Sequence, residues 1–177
     1  LSAPLLDEAR RRAGEAGVEV EWLCADMRTL PFREEFDAVL SLFSSLGYFK
    51  HEEDDLRALE AARAALKPDG LFLLETMHRD RVVSAYAERD WWEGANGEPV
   101  WVEREFDAVE GVSREWLRWL DDGKLREKYH EIRVRTATEW MNLLRQARLE
   151  PVGWYGGWEA EEFTAESERL IVVARPE

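Results

Sequence analysis

Phe36-Asp37-Ala38-Val39-Leu40-Ser41-Leu42-Phe43, the loop Ser44-Ser45-Leu46-Gly47-Tyr48, a helical stretch closed by Leu66-Lys67-Pro68-Asp69-Gly70, and Leu71-Phe72-Leu73-Leu74-Glu75-Thr76 follow one another in this chain. Their order decides the fold. After Asp37 the first run carries almost no charge, as expected of a central parallel strand buried on both faces. The stretch from His51 to Leu66 has acids in its first turn, where the helix dipole favours them, and an Ala-rich body. Lys67-Pro68-Asp69-Gly70 stops it, and a second buried strand begins. Strand, helix and strand at this spacing imply a right-handed crossover and a parallel sheet, an α/β architecture.

Upstream, Ser2 can cap a first helix with Pro4 in its first turn and Leu5, Leu6, Ala9 and Ala13 at helical spacing. Gly14 or Gly17 ends it. Val18, Val20 and Trp22 alternate with Glu19 and Glu21, the period of an edge or near-edge strand wet on one face. A short turn, Ala25-Asp26-Met27, follows. Downstream, residues 91–135 change texture, with turn signals at Asn96-Gly97, Glu110-Gly111 and Asp122-Gly123. The runs Val100 to Val109, Val112 to Leu120 and Leu125 to Val134 predict an antiparallel β-meander inserted on the core. Thr136 and Glu139 form a capping-box pair for a helix from Ala137 to Ala147. Leu149 to Tyr155 and Arg169 to Ala174 predict a closing hairpin whose last strand is antiparallel.

The 177 residues suit one domain with a full core, and the single Cys24 excludes an intrachain disulfide. His51, His78 and His130 lack zinc-type spacing, so no metal site is expected. A net charge of −14 repels phosphate backbones, which makes nucleic acid a poor partner. No apolar run of about eighteen residues occurs, so no membrane span is expected and the cytoplasm is the default. The acidic runs Glu52-Glu53-Asp54-Asp55 and Glu159 to Glu168 are expected to be solvated. Scarce amides (Gln146, Asn96 and Asn142 are the only ones) with abundant charge fit a heat-adapted source, and GC-rich coding equally.

In its order of elements the chain resembles a class I S-adenosylmethionine-dependent methyltransferase of the small-molecule type. The loop from Phe43 to Tyr48 is similar to one in sugar N-methyltransferases. The resemblance implies a Rossmann-like sheet, mostly parallel with an antiparallel last strand, carrying the 91–135 insertion. It also implies that residues 1–177 form one domain that is incomplete at its start, because the glycine-rich turn and the ribose-binding acid of that family would precede Leu1.

The expected cofactor is S-adenosylmethionine. In an open parallel sheet ligands sit beyond the carboxyl ends of the strands. There the resemblance assigns Asp26 to the adenine amine, the Met27 backbone to the ring, Leu1 to the adenine face, and Leu42 and Phe43 to the floor beneath the reacting methyl. An Asp at this position can equally cap the turn before Leu30-Pro31. Tyr48 stands where some of the resembled enzymes have a histidine proposed as base. A phenol with a pKa near 10 orients a nucleophile better than it deprotonates one, and plain packing is an equal alternative.

Trp154, Trp158 and Arg169 are weaker candidates for substrate contact. Nine tryptophans are many for this length, and six of them lie between Trp91 and Trp140. They suit a meander core or a homodimer interface more than a cation-binding face.

The expected partner is a small-molecule acceptor presenting nitrogen or oxygen. Two alternatives remain open at this point: a nicotinamide-dependent Rossmann oxidoreductase, and a non-catalytic scaffold whose Trp-rich insertion binds a protein. Hydrolase and nucleotide triphosphatase chemistry is excluded by the lack of a Gly-x-Ser-x-Gly elbow or a Gly-x-x-x-x-Gly-Lys loop. Nucleic-acid aminomethylation is disfavoured because Leu42-Phe43-Ser44-Ser45 replaces an Asp/Asn-Pro-Pro-aromatic run.

Overall fold

The computed structural model describes residues 3–95 and 97–177. Leu1, Ser2 and Asn96, on which an adenine contact, a helix cap and a turn were expected, lie outside the described residues.

The first helix, α1 (Ala3–Ala16), ends at Gly17, whose φ of +65° only glycine adopts freely. Gly17 N–H donates to Gly14 and Val18 N–H to Ala13, the paired bonds of a Schellman stop. A single 3₁₀ turn, Met27–Thr29, leads to β1 (Phe36–Ser41), α2 (Glu52–Ala65), β2 (Leu66–Thr76) and α3 (Arg79–Ser84). Four strands follow: β3 (Arg89–Glu93), β4 (Pro99–Asp107), β5 (Val112–Asp121) and β6 (Lys124–Arg133). The chain closes with α4 (Ala137–Gln146), β7 (Leu149–Tyr155) and β8 (Leu170–Pro176).

The main sheet has the order β1-β2-β8-β7, with β1 parallel to β2 and β8 antiparallel to both β2 and β7. Three strands therefore run one way and only the last runs against them, as the sequence predicts. One face of this sheet presents Phe72, Leu74, Leu170, Val172 and Ala174 to Ala58, Leu59 and Ala62 of α2 and to Trp140, Leu143 and Leu144 of α4. The sequence periods explain this: alternate strand residues meet helical residues three and four apart. Burying each leucine completely stabilises the core by about 1.5–3 kcal/mol. The capping box forms, with Thr136 accepting from the Glu139 amide and Glu139 accepting from the Thr136 amide.

Three expectations are corrected. Val18, Val20 and Trp22 form no strand: no partner strand lies beside them among the described residues, and Val18 and Val20 are exposed. An alternating pattern becomes a strand only when its backbone finds a ladder. Among the described residues the run from Phe36 is an edge strand that pairs with β2 alone and exposes Phe36 and Leu40, rather than a strand covered on both faces. The acidic start of α2 is not wholly solvated, since Asp55 is completely buried.

The meander forms its own antiparallel sheet, β3-β4-β5-β6, with β3 an additional strand that the sequence reading lacks. A row of alternating charge crosses it: Arg89, Glu103, Arg118 and Glu127 are linked in series at 3.3, 2.7 and 2.6 Å. Trp91 and Trp101 face each other across β3 and β4, both exposed, whereas Trp140 belongs to the main core.

Candidate active site

β1 delivers the chain to a turn that the backbone resists. Phe43 and Ser44 have φ of +54° and +52°, consecutive left-handed residues with no glycine, at about 1–2 kcal/mol each. Their surroundings hold them there. Glu75, buried in the last turn of β2, accepts the Phe43 amide at 2.6 Å, and its own carbonyl accepts the Ser44 amide at 3.2 Å. Ser44 Oγ accepts the Met77 amide at 2.9 Å, and Ser45 Oγ donates to the Leu42 carbonyl at 2.6 Å. The Phe43 side chain is thereby left 83% exposed beyond the carboxyl end of the strand. Backbone strain held this firmly is characteristic of ligand-handling turns.

The next residues are fastened to two other parts of the fold. Gly47 N–H donates to buried Asp55 at 2.9 Å, and its carbonyl accepts the Arg133 amide at 2.8 Å. Gly47 has a φ of +101°, and a Cβ there would lie 2.5 Å from the Arg133 carbonyl oxygen. Only glycine fits. Asp55 also accepts from Arg135 at 2.8 Å, and the Arg135 guanidinium lies 4.9 Å from the centre of the Trp140 ring. Loop, helix start and meander exit therefore meet at one ion pair.

This places Tyr48 beside the meander, with its ring centroid 6.2 Å from that of His130. Burial and then the charge of Glu115 push the Tyr48 phenol upward, so it stays protonated and able to donate at neutral pH. His130 Nε2 is 3.5 Å from Glu115, which also accepts from Arg104 at 2.9 Å. A cavity of about 310 Å³ opens on the His130 side, lined by Met77, Arg81, Asp90, Arg104, Glu115 and His130 among others but not by Tyr48. Met77 joins this cavity to the strained turn through its bond to Ser44.

On the other side of the turn, Met27 and Leu42 line one apolar cavity of about 190 Å³ with Leu30, Val39, Leu46 and Phe72. Asp26 precedes it and caps the 3₁₀ turn through the Arg28 amide at 2.9 Å. The Arg28 side chain pairs with it at 2.6 Å and bridges to Asp54 at 3.0 Å. That guanidinium holds the Asp26 carboxyl down to about 2, so it acts as an acceptor throughout the neutral range. Capping and ligand binding are compatible, since a carboxylate has about four acceptor sites.

Of the expected site residues, the structure brings Met27 and Leu42 into one cavity and places Phe43 and Tyr48 on one loop. Arg169 pairs with Glu75 at 3.2 Å, behind the turn. Trp154 packs against the core and Trp158 is exposed, and neither lines the cavity beside His130. Glu75, Asp55, Glu115, His130 and Arg135 were missed. An acid at the end of an apolar strand, Glu75, was the one available signal. Among the described residues no cluster suited to a metal ion occurs.

Comparison with known proteins bears on the fold. Residues 1–70 match the family model described as a methyltransferase domain. A methyltransferase of Clostridium acetobutylicum, S-adenosylmethionine-dependent, superposes with a TM-score of 0.85 at 18% identity, covering 99% of this chain and 72% of that one. The CcbJ methyltransferase of Streptomyces caelestis gives 0.86 at 20% identity with the same coverage. An amino pentose methyltransferase of Micromonospora echinaspora, solved with S-adenosylmethionine bound, gives 0.70 at 26% identity over 99% of this chain and 71% of that one. No curated protein matches by sequence.

The fold is the one these S-adenosylmethionine-dependent methyltransferases share, and residues 1–70 carry the match to a methyltransferase domain. An ionised acceptor, Asp26, directly before Met27 of an apolar cavity suits the adenosine part of S-adenosylmethionine.

Proposed function

We propose that the chain methylates a nitrogen or oxygen of a small molecule held between α3 and the meander. The observation that carries this is the cavity of about 310 Å³ that adjoins the strained Phe43-Ser44 turn through Met77 and presents Glu115 and His130. S-adenosylmethionine, when bound, supplies a methyl group activated on sulfur. Asp26, Met27, Leu42 and Phe43 are the residues of this chain that would hold it.

The protein's share of the work is orientation and exclusion of water, which can contribute about 7–11 kcal/mol through proximity. Tyr48 keeps its proton and so can donate a hydrogen bond to the acceptor. The cavity wall carries both signs of charge, Arg81 and Arg104 against Asp90 and Glu115, which suits a polar acceptor with several hydrogen-bonding groups. The neighbours' printed substrates support an amine-bearing one: the Micromonospora protein is described as an amino pentose methyltransferase, and another from Streptoalloteichus as a sugar N-methyltransferase.

Transfer of labelled methyl from S-adenosylmethionine across amino sugars, alkylamines and catechols tests this. Methylation of an amino sugar in preference to the others is expected. Methylation confined to protein or nucleic acid would refute it.

A further inference from the structure

Resting on that acceptor cavity, we propose that His130 takes up the proton the acceptor releases, with Glu115 as its positioning residue. Six charged or titratable groups line the cavity: Arg81, Tyr86, Asp90, Arg104, Glu115 and His130. Arginine keeps its proton at any working pH and serves only to bind or balance charge. Asp90 and Glu115 both lie against Arg104, at 3.8 and 2.9 Å, so each carboxylate is already engaged by a guanidinium. Tyrosine is an acid at neutral pH only in name. Histidine alone among these residue types gains and loses a proton between about pH 5 and 8.

The placement of His130 suits that task. Its Nδ1 is enclosed without a hydrogen-bond partner, whereas Nε2 lies 3.5 Å from Glu115. Exchange with an acceptor therefore runs through Nε2, the nitrogen that is not enclosed. In the step, one N–H or O–H bond of the acceptor breaks and its electron pair stays on that atom. The proton bonds to Nε2 and later passes to water. No oxidant or reductant is needed.

Glu115, held by Arg104 at 2.9 Å through one carboxylate oxygen, faces His130 Nε2 with the other. The Tyr48 ring, its centroid 6.2 Å from that of His130, borders this side of the cavity from the loop without lining it. Strand parity brings this about: Glu115 and His130 are register partners on β5 and β6, so their side chains emerge on one face of the meander.

The test uses the full-length protein with labelled S-adenosylmethionine and four acceptors: an amino pentose, an amino hexose, a primary alkylamine and a catechol. On the best acceptor of wild type, His130→Gln is expected to lower kcat by about a hundredfold or more at neutral pH. Cofactor affinity should stay within about twofold, since nothing in the adenosine cavity is touched. The acidic limb of the rate profile should vanish, and added imidazole should restore turnover to His130→Ala. Glu115→Gln should lower turnover less and displace the acidic limb.

A His130→Gln protein that binds cofactor and keeps the wild-type pH profile overturns the assignment. So does His130→Ala that is folded by circular dichroism, impaired, and deaf to imidazole, because a packing role would give that result. Failure of wild type to bind S-adenosylmethionine, or to methylate any of the four acceptors, would instead bring down the underlying acceptor reading and this assignment with it.

Discussion

Asp55 and Arg135, 80 residues apart in the chain, are paired at 2.8 Å with side chains 0% and 2% exposed. The pair joins the first turn of α2 to the segment leaving the meander, and the other Asp55 oxygen holds Gly47. Removing one member strands the other charge in a dry interior. Asp55→Ala is expected to destabilise the protein by about 3–5 kcal/mol, measured by denaturant unfolding. A loss under about 1 kcal/mol would mean that water reaches the Arg135 guanidinium.

Gly47→Ala tests the neighbouring junction. Its φ of +101° and the 2.5 Å approach to the Arg133 carbonyl leave no room for a methyl group. Loss of more than about 2 kcal/mol in stability is expected from strain at such a position, with turnover falling as Tyr48 shifts. Unchanged melting and unchanged activity would show that the loop and β6 separate without cost.

Asp26→Ala should weaken S-adenosylmethionine binding by about 1–3 kcal/mol, the cost of a buried amine without its acceptor. Calorimetry on the full-length protein measures this, and equal affinities would remove Asp26 from the site. The pH dependence has a definite sign. The Asp26 carboxyl is depressed from 3.8 to about 2, so its pairing with Arg28 is fully present above pH 4 and is lost as pH falls through about 2. Cofactor affinity should therefore show no carboxylate-type loss between pH 8 and about pH 5.

Glu75→Gln removes the charge that holds the Phe43 amide and faces Arg169. A charge-assisted hydrogen bond of this kind contributes about 1.5–3 kcal/mol. The variant should bind cofactor more weakly and give faster amide exchange at Phe43 and Ser44. Exchange rates equal to wild type would locate the cause of the left-handed turn elsewhere.

Tyr48→Phe should reduce turnover and leave cofactor affinity nearly unchanged, because the lost hydrogen bond acts on the acceptor. Equal turnover on the preferred acceptor would leave Tyr48 as a packing residue only.

Much of the fold was legible because it is written in local patterns. Thr136 and Glu139 specify the start of α4 by themselves, and the alternating runs of the meander declare strands before any partner is known. Val18 to Trp22 shows the limit of that logic: the same alternation yields no strand where no ladder lies beside it. The site was less legible. Asp26, Met27, Leu42 and Phe43 are candidates through the resemblance alone. Glu75 meets Phe43 across 32 residues and Asp55 meets Arg135 across 80, and these contacts arise only from packing. The left-handed turn at Phe43 and Ser44 lacks the glycine that would announce it. His130 looked like one of three scattered histidines until β5 and β6 paired.

The row Arg89, Glu103, Arg118 and Glu127 has a consequence for how the meander folds. A hairpin with polar residues on both faces can slide by two residues and keep every side chain on its original face. Here a two-residue slide of β6 would bring Leu125 or Tyr129 opposite Arg118 in place of Glu127, and the alternation of charge would break. Each exposed pair contributes little by itself, about 0–1 kcal/mol. Their common alignment selects one pairing over its near-equivalents, and so decides whether Glu115 and His130 end up side by side at all. The outer surface of the insertion thus acts as the ruler by which its inner surface is assembled.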